Sequence, residues 1–219
     1  MNFFRTLSIL IRKEFVLEFR RWYALGGIAL YVLSMIFVVY LASIQVAASV
    51  WNILFWIIVL FASINALVKG FTQESGARHL YYYQLASPSL ILLAKVIYHF
   101  ALLLALSGMA FIAYILVAGN PVRDMSLFVG VLVLGSTGFA ISFTLLSAIS
   151  ARANNSATLM AVLSFPVVLP MLILLMRLSA IALRLMQDTA WRQDVINLLA
   201  IDAILVSLTF LLFPFVWKD

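Results

Sequence analysis

Six apolar runs, at residues 24–44, 46–68, 96–118, 125–151, 156–176 and 195–217, constrain this chain more than any other feature. A hydrocarbon core of about 30 Å is crossed by roughly 20 helical residues, so each run can cross once. The 27-residue fourth run must tilt or protrude. Lipid offers no partner to backbone amides and carbonyls, and a segment that satisfies them alone is a helix. Asp202 is the one formally charged residue inside any run. The sequence therefore predicts an all-α polytopic membrane protein, a single transmembrane domain over 1–219 with six transmembrane helices. Composition excludes the main alternatives: 66% hydrophobic and 10% charged residues cannot build a water-soluble enzyme, a disordered chain or a coiled coil.

A net charge of +6 could suggest nucleic acid, but that reading needs the 14 Lys and Arg clustered on one exposed surface. Here they flank the apolar runs and report topology instead, so no nucleic-acid partner is expected. With the N-terminus inside, Arg5, Arg12, Lys13, Arg20, Arg21, Lys69, Arg78, Lys95, Arg152 and Lys218 fall on the cytoplasmic side. Arg123, Arg177, Arg184 and Arg192 fall outside. The excess of basic residues inside predicts that both termini are cytoplasmic. The first run is expected to be retained, because a long charged segment precedes it and no short apolar region with a small-residue cleavage site follows. Having no cysteine, the chain can form no disulfide, thiolate nucleophile or cysteine-based metal site.

Two segments are amphipathic without being apolar enough to cross. Within 1–23, Phe4, Leu7, Ile11, Phe15, Phe19 and Trp22 recur at three- and four-residue steps, with Arg5, Arg12, Lys13 and Glu18 largely elsewhere on the wheel. This pattern predicts an interfacial helix on anionic lipid. Within 178–194, Leu178, Ile181, Ala182, Leu185 and Met186 keep the same spacing opposite Arg184, Gln187 and Asp188. A second interfacial helix on the outer face is expected there.

Catalytic machinery is missing from the sequence. G-x-x-x-x-G-K-[ST] has no match, nor do H-E-x-x-H and G-x-S-x-G, so the chain is expected to be no enzyme and to hydrolyse no ATP itself. Gly135, Gly138 and Ser142 stand at helical steps suited to close helix contact. Pro166 and Pro170 each leave a carbonyl one turn earlier unpaired and should kink or unwind the fifth span, as a pivot or a cavity wall. Asp202 lies roughly 10 Å inside the sixth span. It is expected to be structural and polar-paired, with Arg184 or Arg192 in reach and Ser207 and Thr209 nearby, rather than a proton relay.

The loop over 70–88 is the longest on the basic side. A helix can start near Thr72, and Pro88 suits the first turn of another with Ser87 as N-cap. Tyr81, Tyr82 and Tyr83 suit insertion into a partner's cleft, and equally an aromatic belt at the membrane interface.

Three segments carry a family resemblance: Arg12-Lys13-Glu14-Phe15-Val16-Leu17-Glu18-Phe19-Arg20-Arg21; the spacing of Phe71, Glu74, Gly76, Leu85, Ser87, Pro88 and Leu93-Ala94-Lys95; and Leu134-Gly135-Ser136-Thr137-Gly138 continuing through Arg152 to Leu163-Ser164-Phe165-Pro166-Val167-Val168-Leu169-Pro170. With these the chain resembles the haem exporter B (CcmB) membrane subunits of the cytochrome c maturation ABC transporter. It departs from many relatives at Arg21-Trp22-Tyr23-Ala24-Leu25-Gly26-Gly27, where they carry an Asn-Pro-like break.

The resemblance implies an ABC-2-like permease in a bacterial inner membrane, with a cytoplasmic coupling helix between spans 2 and 3. Phe71, Glu74, Gly76, Tyr81, Tyr82, Leu85 and Pro88 would couple it to a separate ATP-binding subunit. The implied partners are CcmA, CcmC, CcmD and the haem chaperone CcmE, with two copies of this chain per complex. ATP would sit on the partner and haem would be cargo; His79 and His99 both fall away from the outer face, so no cofactor and no haem ligand is assigned to this chain. Two other readings stay open: an ABC-2 permease for another lipid-like or drug-like substrate, and a scaffold that transmits ATP-driven motion and moves nothing.

Overall fold

The computed structural model describes residues 3–20, 22–42, 46–67, 87–150, 156–186 and 191–218. Among them it has seven α-helices and no strand: α1 (Phe3–Phe19), α2 (Trp22–Ala42), α3 (Ala48–Leu67), α4 (Pro88–Ala118), α5 (Met125–Ser150), α6 (Ser156–Ala182) and α7 (Trp191–Lys218). Five of them, α3 to α7, are long and apolar enough to cross a membrane. In α2 a shorter apolar stretch, Gly26–Leu41, qualifies by composition but not by length.

The outer surface is unlike that of a soluble protein. Leu116, Phe37 and Ile204 face outwards, 80%, 57% and 59% exposed, while Lys95 and Asp202 are only 1% and 6% exposed. An apolar exterior, around an interior that is mostly apolar but also holds the charged and polar groups, is what lipid as solvent selects. These helices form the architecture of a multi-pass membrane protein.

Local chemistry sets the helix ends. Ser87 occupies the N-cap position of α4, though its hydroxyl makes no cap hydrogen bond, and Pro88 takes the first turn, where a missing amide proton costs nothing. The helix stops at Gly119, whose φ of 81° favours glycine and whose N–H reaches Ile115 O at 3.0 Å. Asp124 then caps α5, its Oδ1 accepting from Leu127 N at 3.0 Å and Ser126 Oγ at 2.8 Å. The backbone hydrogen bond from Leu127, then the bond from Ser126, hold this carboxyl below its usual range. At its far end α6 closes with Arg184 left-handed at φ 56°. Arg184 N–H reaches Ile181 O at 2.9 Å and Leu185 N–H reaches Ala180 O at 3.0 Å, the pairing of a Schellman cap. Arg123 N–H and Asp124 N–H, at 3.1 and 2.9 Å, both donate to Ala182 O, so the loop after α4 seals the end of α6.

The helices correct one expectation and narrow another. Among the described residues of the outer segment at 178–194 there is no separate interfacial helix: α6 continues to Ala182 with Leu178 and Ala182 fully buried, and α7 begins at Trp191. Its amphipathic spacing is that of a transmembrane helix turning one face to its neighbours. Pro166 and Pro170 do not unwind α6, which is helical from Ser156 to Ala182, and both lie on its exposed face rather than on a cavity wall. Each proline still lacks the N–H that would bond the carbonyl one turn back, at Val162 and at Pro166, but on the exposed face neither ring displaces a neighbouring helix.

At the centre stands α5, packed by α3, α4, α6 and α7. It runs antiparallel to α4, since His99 meets Thr144 while Ser107 meets Ser136. Between α3, α4 and α5, Trp51 stacks on Tyr114 at 4.8 Å and Phe111 on Phe128 at 4.7 Å, with Phe55 edge-on to Phe111 at 6.0 Å. Each such pair contributes about 0.5–1.5 kcal/mol beyond area burial. Lipid is as apolar as leucine, so contacts of this kind, rather than the hydrophobic effect, hold transmembrane helices together.

Candidate functional site

Polar side chains inside the bundle fall at three levels along α5. The first lies where α3 meets the end of α6. Asn52 Nδ2 donates to Met176 O at 2.8 Å, Trp56 Nε1 donates to Ser179 Oγ at 2.8 Å, and Ser179 Oγ reaches Asn52 Oδ1 at 2.7 Å. One residue beyond Met176, Arg177 pairs with Asp194 of α7 at 3.5 Å. Ser179 is thus the common partner of an indole and an amide, all buried. Ser179→Ala should strand both and cost about 1–2 kcal/mol. Ser207→Ala should cost almost nothing, because that exposed hydroxyl bonds only Ala203 O of its own helix. Thermal unfolding of the two variants, followed by tryptophan emission, checks the contrast.

The second level is the middle of the bundle, where Asp202 of α7 faces α5 and α6. Its carboxyl is buried, and among the described residues neither oxygen has a hydrogen-bond partner. The expected pairing with Arg184 or Arg192 is overturned: Arg184 sits in the cap of α6 and Arg192 lies over the Trp191 ring at 5.6 Å. Nor do the neighbouring hydroxyls help, since Ser207 and Thr209 bond carbonyls of α7 itself. What Asp202 meets instead is Gly138: a Cβ built there would lie 2.5 Å from Asp202 Oδ1 and would overlap Met171 Cε. Ser142 Oγ, one turn along α5, turns to Met171 Sδ at 3.5 Å. Gly135 gives similar room, with Trp56 ring atoms at 2.9 Å from its Cβ position.

The third level joins α1 to the bundle. Lys95, expected in the loop before the third span, lies two turns inside α4 and is buried against Glu14 at 3.6 Å. Glu14 also holds Lys13 at 3.0 Å. Phe15 packs edge-on against Tyr98 at 5.1 Å. One turn deeper, His99 Nδ1 bonds Thr144 Oγ1 at 2.7 Å. So α1 is more than an amphipathic helix resting on lipid; a buried ion pair fixes it to α4.

Of the residues singled out from the sequence, Phe71, Glu74, Gly76, Tyr81, Tyr82 and Leu85, together with His79, lie outside the described residues. Pro88 takes the first turn of α4, as expected. The described residues bring together no group of three or more His, Asp or Glu fit to hold a metal ion. His99 is buried, with its Nδ1 bonded to Thr144 Oγ1. Sequence reasoning missed the Asn52–Trp56–Ser179 group and the Glu14–Lys95 pair. Asn52 in an apolar run and a lysine two turns after Pro88 were the available signals, and each is expensive in lipid unless its polar group is paired. Comparison with protein families, with curated proteins and with solved structures finds no match to this chain.

Proposed function

We propose that this chain is the non-catalytic membrane subunit of an ATP-driven complex of the haem exporter B kind, delivering haem during c-type cytochrome maturation. In this reading α2 to α7 make six crossings of a bacterial inner membrane in an ABC-2-like permease, with both termini cytoplasmic. The segment 70–88 docks on a separate ATP-binding subunit, CcmA, beside CcmC, CcmD and the chaperone CcmE, and two copies of the chain enter the complex. ATP stays on the partner, and haem is cargo rather than a resident cofactor.

The observation that carries the reading is the anchorage of the segment's far end. From Pro88 the chain enters α4, and within three turns Lys95 ties that helix to α1 while His99 ties it to the central α5. Force applied to 70–88 would therefore reach the middle of the bundle through short, buried contacts. The missing nucleotide-binding motif supplies the need for a partner.

A second reading, a scaffold that moves no substrate, draws support from the filled interior, where Trp56 and Met171 occupy the space left by Gly135 and Gly138. A permease for another lipid-like or drug-like substrate is the third. Glu74→Arg or Gly76→Arg should leave membrane insertion intact and abolish nucleotide-dependent cytochrome assembly. Full ATP turnover and assembly by these variants in complex with an ATP-binding subunit would dismiss the docking assignment. Nucleotide-driven haem transport in liposomes separates permease from scaffold.

A further inference from the structure

Nothing in the ATP-coupled reading uses the buried carboxyl between α7 and the centre of the bundle. We propose that Asp202 is a proton-binding site, held as the neutral acid in a notch formed by Gly138, Ser142 and Met171, and that its ionisation parts α7 from α5 and α6.

The notch is shaped for this side chain. Only a glycine at 138 leaves room, since a Cβ would stand 2.5 Å from Asp202 Oδ1. The carboxyl is 6% exposed, and both oxygens lack a partner among the described residues. Ser142, one turn along α5 from Gly138, is turned to Met171 Sδ. Among the described residues no cation faces the site from the helices packed on α7, which are α4, α5 and α6. Along Met125–Ser150 there is no charged residue. Arg177 of α6 pairs with Asp194 near the far end of that helix. On α4, Lys95 is engaged with Glu14, Tyr98 with the Phe15 ring, His99 with Thr144, and Tyr114 with the Trp51 ring, all at other levels.

An unpaired carboxylate in such surroundings is costly, whereas a neutral acid forgoes only ordinary hydrogen bonds. Closed packing and the proton are thus linked: what favours one favours the other. Loss of the proton leaves a charge that the notch cannot solvate, and the relief is displacement of α7 towards water or a polar group. The same glycine that admits the acid also makes the α5–α7 contact separable, because no side chain on 138 interlocks with α7.

The native chain has no cysteine, so a single reporter thiol can be placed in the notch. Ser142→Cys is nearly isosteric there, and Asp202→Asn keeps the shape of the acid without its charge. The rate at which a small, membrane-permeant maleimide labels the introduced thiol is measured across pH, in lipid vesicles, for Ser142→Cys alone and combined with Asp202→Asn. A thiol ionises near an ordinary value of about 8.5, so both rates rise with pH, and the readout is the ratio of single to double variant. That ratio should stay near one at acidic pH and climb about tenfold or more at alkaline pH as the notch opens. An unchanging ratio overturns the coupling. Infrared difference spectra of the native protein against Asp202→Asn test the protonation itself. A protonated-carboxyl band at neutral pH, absent from the Asn variant, is expected; a carboxylate band in its place overturns the proposal, with a bound cation as the explanation. Neither result depends on ATP or a partner, so failure here leaves the docking assignment where it stands.

Discussion

Gly138→Ala is expected to destabilise the bundle by about 1–3 kcal/mol, and Gly138→Leu to leave little folded protein. A Cβ at this position overlaps Met171 Cε and crowds Asp202 Oδ1. A methionine tip is ordinarily quick to yield, but Met171 is fully buried, so retreat must displace something else. The control is Gly130, on the same helix, where a Cβ would meet nothing within 4 Å. Gly130→Ala should stay within about 0.5 kcal/mol of the native protein. Met171→Ala in the Gly138→Ala background should recover part of the loss, because it removes the atom that clashes. Thermal unfolding in one detergent decides among these. If Gly138→Ala and Gly130→Ala melt together, the close approach of α5, α6 and α7 at Asp202 is wrong.

How far the sequence leads depends on what each feature answers to. Apolar length answers to the thickness of lipid alone, and so the five long helices were legible, with α5 ending within a residue of its apolar run. Helix ends set by caps were legible only where the capping residue is distinctive: Pro88 after Ser87 marks the start of α4, but an arginine in the left-handed cap of α6 carries no such signal. That is why 178–182 looked like part of an interfacial segment. Amphipathic spacing says that one face differs from the other; whether the apolar face meets lipid or protein is a tertiary fact.

Partners of buried polar groups were the least legible. Asp202 stands out in a charge-free run, yet arginines nearby in sequence point elsewhere, and its true neighbours, Gly138 and Met171, lie on other helices. Ser179 and Asn52 are 127 residues apart. Small residues at Gly135 and Gly138 did announce close packing, since in lipid that is the main use of a missing side chain. They could not announce what would fill the space.

Removing one charge of the Glu14–Lys95 pair should have the other large effect, and it should be unequal between the partners. The ammonium of Lys95 is 1% exposed and the carboxylate of Glu14 is 12% exposed, with Lys13 also at 3.0 Å from the latter. Lys95→Met keeps the apolar stem, removes the more deeply buried charge and leaves Glu14 a cation beside it, so it should cost about 1 kcal/mol. Glu14→Gln takes a negative charge from beside a buried ammonium and should cost more, about 2 kcal/mol. The damage should appear first in α1. Its docking on α4 otherwise rests on contacts such as Phe15 with Tyr98, and its outer face, with Phe4 81% exposed, is already suited to lipid. Limited proteolysis in vesicles should therefore cut near the N-terminus of Glu14→Gln while α4 to α7 stay protected. Exchanging the two residues, Glu14→Lys with Lys95→Glu, should restore part of the protection, because it returns opposite charges to the same two positions. Equal protease resistance in the native protein and all three variants would mean that α1 is held by lipid alone.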